Sequence, residues 1–194
     1  MAITVLNKVP ENLCDAAWHV YVDSFEELRA TAVQRHLMYR REFDEVMSDA
    51  RVQKYIDSTP ETGALKGLAT VTNDLLAVPL ISPEYFENHF TSQYRERRIW
   101  YVGFVAVSPS NRGSGTFERL VREMCESRVG PDDIVAADIC RRNTEMFSFP
   151  DAIYSILQDI LGGVAMHRLD EQVYFVYEFE KSDTPSGMLN NIDH

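Results

Sequence analysis

The stretch Val105-Ala106-Val107-Ser108-Pro109-Ser110-Asn111-Arg112-Gly113-Ser114-Gly115-Thr116-Phe117-Glu118-Arg119-Leu120 decides the fold. Its first three residues close the apolar run Ile99 to Val107, the pattern of a buried strand. Pro109 ends that run, and Gly113 and Gly115 mark a turn. Phe117, Leu120, Val121, Met124 and Cys125 then recur at i, i+3, i+4, i+7 and i+8, which predicts a helix that Gly130-Pro131 stops. A strand running through a glycine turn into a helix leaves backbone N–H groups without intrahelical partners, and the helix dipole there favours an anion. The two glycines admit dihedrals closed to other residues and the close approach of a phosphate. Arg112 adds a permanent positive charge. Arg112 to Phe117 therefore read as a pyrophosphate cradle. It is not a Walker A loop, because no Gly-Lys-Ser/Thr follows, and it lacks the GxGxxG spacing of a dinucleotide site.

Working outward, residues 2–7 read as a strand. A helix with Leu13, Ala17, Val20 and Tyr21 on one face follows Pro10, and a second helix is suggested by Val33, Leu37, Phe43, Val46 and Met47. Residues 51–58 and 63–72 read as paired strands joined by Pro60-Glu61-Thr62-Gly63. Residues 74–97, with Pro79, Pro83, Tyr85, Phe86 and Phe90, read as an insertion with a short helix. Beyond the decisive stretch, 134–140 form a buried strand. A helix from about Pro150 carries Ile153, Ile156, Leu157, Ile160 and Leu161 on one face and ends at Gly162-Gly163. Two strands, about 164–169 and 172–180, are expected to pair across Asp170-Glu171, the second alternating Val173, Phe175, Tyr177 and Phe179. The order implies an α/β (α+β) domain over residues 1–180 with one central sheet, and a C-terminal tail, 181–194, without fixed structure.

The chain has 194 residues, enough for one domain with a real core, and its 45% apolar and 25% charged content is that of a globular protein. A net charge of −11 argues against a nucleic-acid partner and mildly favours a cationic one such as an amine. No apolar run is long enough for a membrane span, and no basic-then-apolar leader opens the sequence. Three scattered cysteines suggest neither a disulfide framework nor a metal knuckle, and fit reduced thiols in a cytoplasm. The five histidines form no HxH or HExxH arrangement, so no metal site is expected.

The spacing Pro109-x-x-Arg112-Gly113-x-Gly115 after a Val-x-Val strand resembles the acyl-CoA motif of the GNAT superfamily, Gln/Arg-x-x-Gly-x-Gly/Ala. Arg112 takes the first position, Gly115 the fourth and Phe117 the sixth, with Leu120 at an aliphatic position. The order of elements is similar to the GNAT fold over roughly residues 2–180: a mixed, mostly antiparallel central sheet flanked by helices. Phe117 stands where the family carries Gly or Ala. A register starting at Ser110 restores both glycines but loses the arginine.

The resemblance implies acetyl-CoA or another acyl-CoA as co-substrate. It is held by Val105 and Val107 of the strand, by Arg112, Gly113, Ser114, Gly115, Thr116 and Phe117 of the loop, and by Asn143 after the next strand. The acceptor is an amine on a small molecule or peptide, attacked directly in a ternary complex, and a homodimer is compatible with the family. Tyr101 stands where many members have a Glu, and Tyr154 lies a turn before the usual late Tyr; both enter as catalytic residues. Asp138 reads either as a base or as a hydrogen-bonded acid. Two other readings stay open. Residues 75–97 with Trp100 loosely resemble acyl-homoserine-lactone and N-acyl-amino-acid synthases, which take longer acyl chains. A non-catalytic binding module of the same fold would have the Phe117 side chain where the pyrophosphate should sit.

Overall fold

The computed structural model describes residues 3–79 and 81–179. Strands β1 (Thr4–Leu6), β2 (Gln53–Ser58), β3 (Leu65–Thr72), β4 (Ile99–Val107) and β5 (Ile134–Ala137) form one sheet in sequential order. The first three pairings are antiparallel and β4–β5 is parallel, so the sheet is mixed and mostly antiparallel, as expected. Helices α1 (Glu11–Phe25), α2 (Leu28–Thr31) and α3 (Arg40–Ser48) precede β2, while α4 (Pro83–His89) and α5 (Thr91–Arg95) lie between β3 and β4. Then come α6 (Thr116–Arg128), α7 (Arg141–Glu145) and α8 (Phe149–Leu161). No helix among the described residues is long and apolar enough to cross a membrane.

The sheet is buried on both faces because its strands carry apolar side chains of both parities. On one face Ala17, Tyr21, Phe43, Met47, Ile56 and Leu68 pack together beneath α1 and α3. On the other, Tyr55, Ala69 and Val71 meet Leu120, Val121, Met124 and Cys125 of α6, with Ile156, Leu157 and Ile160 of α8 alongside. Burying each large side chain contributes roughly 1.5–3 kcal/mol. A third cluster, Leu75, Phe86, Ile99, Tyr101 and Ala136, fastens the 74–97 insertion to the start of β4. The insertion's aromatics thus anchor it, and it holds two short helices where one was expected.

Three other expectations change. The second helix begins only at Arg40, leaving Val33 and Leu37 outside it: the Tyr21 hydroxyl donates to the His36 carbonyl at 3.1 Å and accepts from the Met38 amide at 2.9 Å, pinning 36–38 outside a helical ladder. The strand expected to reach Cys140 stops at Ala137. Residues 164–179 carry no regular structure, so the expected closing strands are absent among the described residues, and Glu180 lies outside them with the 181–194 tail. Phe175, Val176, Tyr177 and Phe179 are between 77% and 93% exposed. Alternation supplies only a side-chain preference; a strand also needs an edge whose amides and carbonyls meet its own.

Lys54, fully buried on β2, donates to the carbonyls of Val52 (2.7 Å), Asp49 (2.6 Å) and Asn7 (2.9 Å), tying β1, β2 and the end of α3. Its three ammonium hydrogens match those three acceptors. Burial pushes its pKa down to about 8 from the ordinary 10.5. Lys54→Met is expected to cost roughly 1–3 kcal/mol for the carbonyls left unmet. The unfolded chain holds the Lys54 proton more tightly than the folded one, so the cost of the buried charge is full below pH about 8 and fades as pH rises toward 10.5. Urea titrations across that window should show wild type gaining stability relative to the variant.

Candidate functional site

β4 changes its partners halfway along. Ile99 to Val102 pair with Ile134 to Ala137 of β5, and there β5 ends while β4 runs on to Val107. On its other edge β4 stays paired with β3, but Thr70 faces Phe104 while Val71 faces Val102, so Gly103 is the extra residue of a β-bulge. A Cβ at Gly103 would stand 2.7 Å from the Thr70 Oγ1, which leaves no room for a side chain. The bulge also reverses the alternation: Trp100 and Val102 share the α6 face with Val105 and Val107. Phe104 instead joins Tyr21 and Phe43 on the other face.

The Ser108 amide donates to the Lys66 carbonyl at 2.9 Å, facing β3. By strand alternation the main-chain groups of Val105 and Val107 face the opposite edge, which β5 has vacated. The Val107 carbonyl there accepts from the Ser24 hydroxyl at 2.9 Å. The crevice between β4 and β5 is thus edged by strand backbone, at the positions singled out in the sequence.

At the crevice's end, a turn at Pro109–Asn111 leads into Arg112 and the glycines. Gly113 and Gly115 have φ of +76° and +77°, the left-handed region that other residues enter only with strain. The first helical bond of α6 runs from the Arg119 amide to the Gly115 carbonyl, so the amides of Thr116, Phe117 and Glu118 point out of the helix end. Ser114 donates to the Asn111 carbonyl at 2.7 Å and lies 3.0 Å from the Thr116 hydroxyl. Arg112 is turned toward α1, donating to the Ser24 carbonyl at 3.3 Å. Phe117 stacks on Phe149 of α8, with ring centroids 5.4 Å apart, and packs into the α6 cluster. Its ring is thus engaged on the α8 side.

Two features beneath the loop escaped the sequence reading. Gly67 of β3 lies so close to α6 that a Cβ would meet the Thr116 Cγ2 at 2.7 Å and the Leu120 Cδ1 at 2.9 Å, so the helix start settles onto the sheet there. Next to it on β2, the buried Asp57 carboxylate accepts from Arg119 Nη2 at 2.6 Å and Nε at 3.1 Å. The same guanidinium donates to the Ser114 carbonyl at 3.0 Å and the Thr116 hydroxyl at 2.9 Å, holding the loop from below. Asp57 Oδ1 is buried without a hydrogen-bond partner. The partners stand 62 residues apart, and no local sequence signal links them.

The remaining sequence candidates are spread around the fork. Tyr101, buried on β4 opposite Ala136, donates its hydroxyl to Asp138 at 2.9 Å, just past the end of β5. Burial, then the Asp138 charge, raises the phenol's pKa well above its ordinary value, so it stays protonated. Asp138 is exposed rather than buried. Asn143 is half-buried on α7, beside Arg142, and Tyr154 is half-buried on α8. The structure joins Tyr101 to Asp138; it records no bond between Tyr101 and Tyr154. A surface cavity of about 200 Å³ lies by Asn73, Tyr94 and Arg97, at the other end of β4 from the glycine loop and outside this arrangement.

No protein-family model and no curated protein matches the sequence. Solved structures do match. A mutant of a Bacillus halodurans protein is 12% identical at a TM-score of 0.52, covering 91% of this chain and 100% of its own. An aminoglycoside acetyltransferase from an uncultured soil metagenomic sample, solved with sisomicin, is 11% identical at a TM-score of 0.50, covering 91% and 96%. A probable acetyltransferase is 12% identical at a TM-score of 0.52, covering 93% and 100%.

Arg119→Ala should leave Asp57 buried without its counter-ion and cost about 3–5 kcal/mol in a urea titration. Asp57→Leu combined with Arg119→Met should recover most of that loss, since it removes both charges together.

Proposed function

Starting from a chain with the GNAT fold, we propose that this protein transfers an acetyl group, or another acyl group, from a CoA thioester to a primary amine by direct attack in a ternary complex. The observation that carries this reading is the glycine loop at the end of β4, opening onto the strand edge that β5 leaves bare. Anion-seeking amides at one end and a main-chain edge without a strand partner leading away suit a long ligand with a diphosphate head and an amide-bearing arm. The residues present fit acyl-CoA: Gly113 to Phe117 cradle its diphosphate, with Arg112 beside them, and the main chain of Val105 and Val107 pairs with the arm. Asn143 lines the β5 side. Bound there, acyl-CoA supplies the activated carbonyl.

In the transfer a C–N bond forms, the C–S bond breaks, the nitrogen loses a proton and the sulfur gains one. The chain's own part is to align the two reactants and handle the protons. Asp138, exposed at the fork, takes the proton of the incoming ammonium. Tyr101 fixes the carboxylate's orientation through its hydroxyl. Tyr154 donates to the leaving sulfur. The acidic surface favours a cationic acceptor. Free thiols at Cys14, Cys125 and Cys140 fit a cytoplasmic setting.

Acetyl is favoured over a long acyl chain because the aromatics of the 74–97 insertion are spent on anchoring it to the core. The Phe117 ring, stacked on Phe149, also supports a working cradle over a blocked one.

Calorimetric titration with acetyl-CoA tests the reading. Wild type should bind, Arg112→Ala should bind about tenfold more weakly, and Gly115→Trp should abolish binding, since a side chain at φ +77° strains the loop and its Cβ meets Arg119 at 3.2 Å. No binding of acetyl-CoA or a longer acyl-CoA by wild type would overturn it. In a thiol-release assay with an amine acceptor, Asp138→Asn should lower kcat about 100-fold with little change in the KM for acetyl-CoA.

A further inference from the structure

One carboxylate spans the mouth of the crevice. Glu27, between α1 and α2, lies against arginines from both lips. Arg112, on the glycine loop that follows β4, places Nη1 3.7 Å from Glu27 Oε1. Arg142, in the first turn of α7 after β5, donates from Nη2 to Glu27 Oε2 at 3.0 Å. Arg142 also donates from Nη1 to the Thr31 hydroxyl at 3.1 Å, and its guanidinium lies 5.7 Å from the Phe147 ring centroid. Arg112 is fastened to the same end of α1 through the Ser24 carbonyl. The acid therefore ties the β4 lip to the β5 lip just where a donor would have to enter.

Two facts make this contact a place-holder rather than a brace. It is exposed, with the Glu27 side chain 60% accessible, and exposed ion pairs open at little cost. The second is chemical. Two convergent guanidiniums present a set of donors larger than one carboxylate can fill, whereas a phosphoryl group brings more charge and more acceptor oxygens to the same geometry.

We propose that Glu27 occupies the position of a phosphoryl group of the acyl donor between Arg112 and Arg142. Arg142 is then a further donor-binding residue, and Glu27 is a latch that the donor displaces. This inference rests on the acyl-CoA reading above. It makes apparent affinity depend on the fraction of molecules with the latch open. Neutralising Glu27 removes the competitor and tightens binding, while removing Arg142 takes away part of the site.

The test is titration of wild type, Glu27→Gln and Arg142→Ala with acetyl-CoA, after checking that their thermal transitions match. Glu27→Gln should bind about three- to tenfold more tightly and Arg142→Ala about tenfold more weakly. Glu27→Gln made on the Arg142→Ala background should give less than its full gain, because the two side chains are coupled. If all the proteins bind and Glu27→Gln binds equally well or more weakly, the latch is overturned while the donor reading stands. Unchanged affinity in Arg142→Ala overturns its assignment as a donor-binding residue. If neither wild type nor Glu27→Gln binds acetyl-CoA or a longer acyl-CoA, both the latch and the donor reading fail.

Discussion

A strand cannot be paired on both edges and also leave an edge open, and β4 does both by dividing them along its length. Its first four residues pair with β5, and two of them, Tyr101 and Val102, pair with β3 as well and hold the sheet together. Its last five keep β3 alone. Gly103 sits at the boundary, and the bulge it makes possible re-aims everything beyond it. Because of that one extra residue, Val105 and Val107 turn their side chains into the α6 cluster while their main-chain groups face the gap. Phe104 drops into the aromatic group of Tyr21 and Phe43 on the other face. A regular strand would put these side chains on the wrong faces and leave the core incomplete.

The helix that follows is placed with similar economy. Gly67 removes the side chain that would hold α6 off the sheet, and beside it the buried Asp57 carboxylate pairs with the half-buried Arg119 guanidinium. Such a pair is a poor source of net stability, because desolvation offsets most of the attraction. Its value lies in direction: one guanidinium, fixed by Asp57, reaches both Ser114 and Thr116 and so sets the height of the loop above the sheet. On the far side, Phe117 on Phe149 and Arg122 with Asp159 hold α8 against α6.

What was legible in the sequence was local. The apolar run of β4, the glycine turn and the heptad-like spacing of α6 lie within thirty residues and predict their own structure, and a strand, a turn through two left-handed glycines and a helix stand where they implied. What was hidden depended on partners far away in the chain. Nothing near Asp57 announces Arg119, and nothing near Glu27 announces Arg142. Tyr21 breaks the expected second helix from fifteen residues upstream. The alternation of Val173, Phe175, Tyr177 and Phe179 was read correctly as a pattern, yet a pattern does not guarantee a neighbour to pair with. Phe117 shows the opposite case: its departure from the glycine-or-alanine motif looked like an obstruction, and the structure gives its ring a partner on α8.

Under the proposed transfer to amines, Lys54 carries a consequence. Acyl donors react with any accessible, unprotonated primary amine, and a lysine with its pKa brought down toward neutrality is ordinarily the most vulnerable of all. Lys54 has that depressed pKa, yet it is fully buried and all its hydrogens are committed to carbonyls of its own fold. The folded chain thus shields from self-modification a side chain whose acylation would pull β1, β2 and the end of α3 apart.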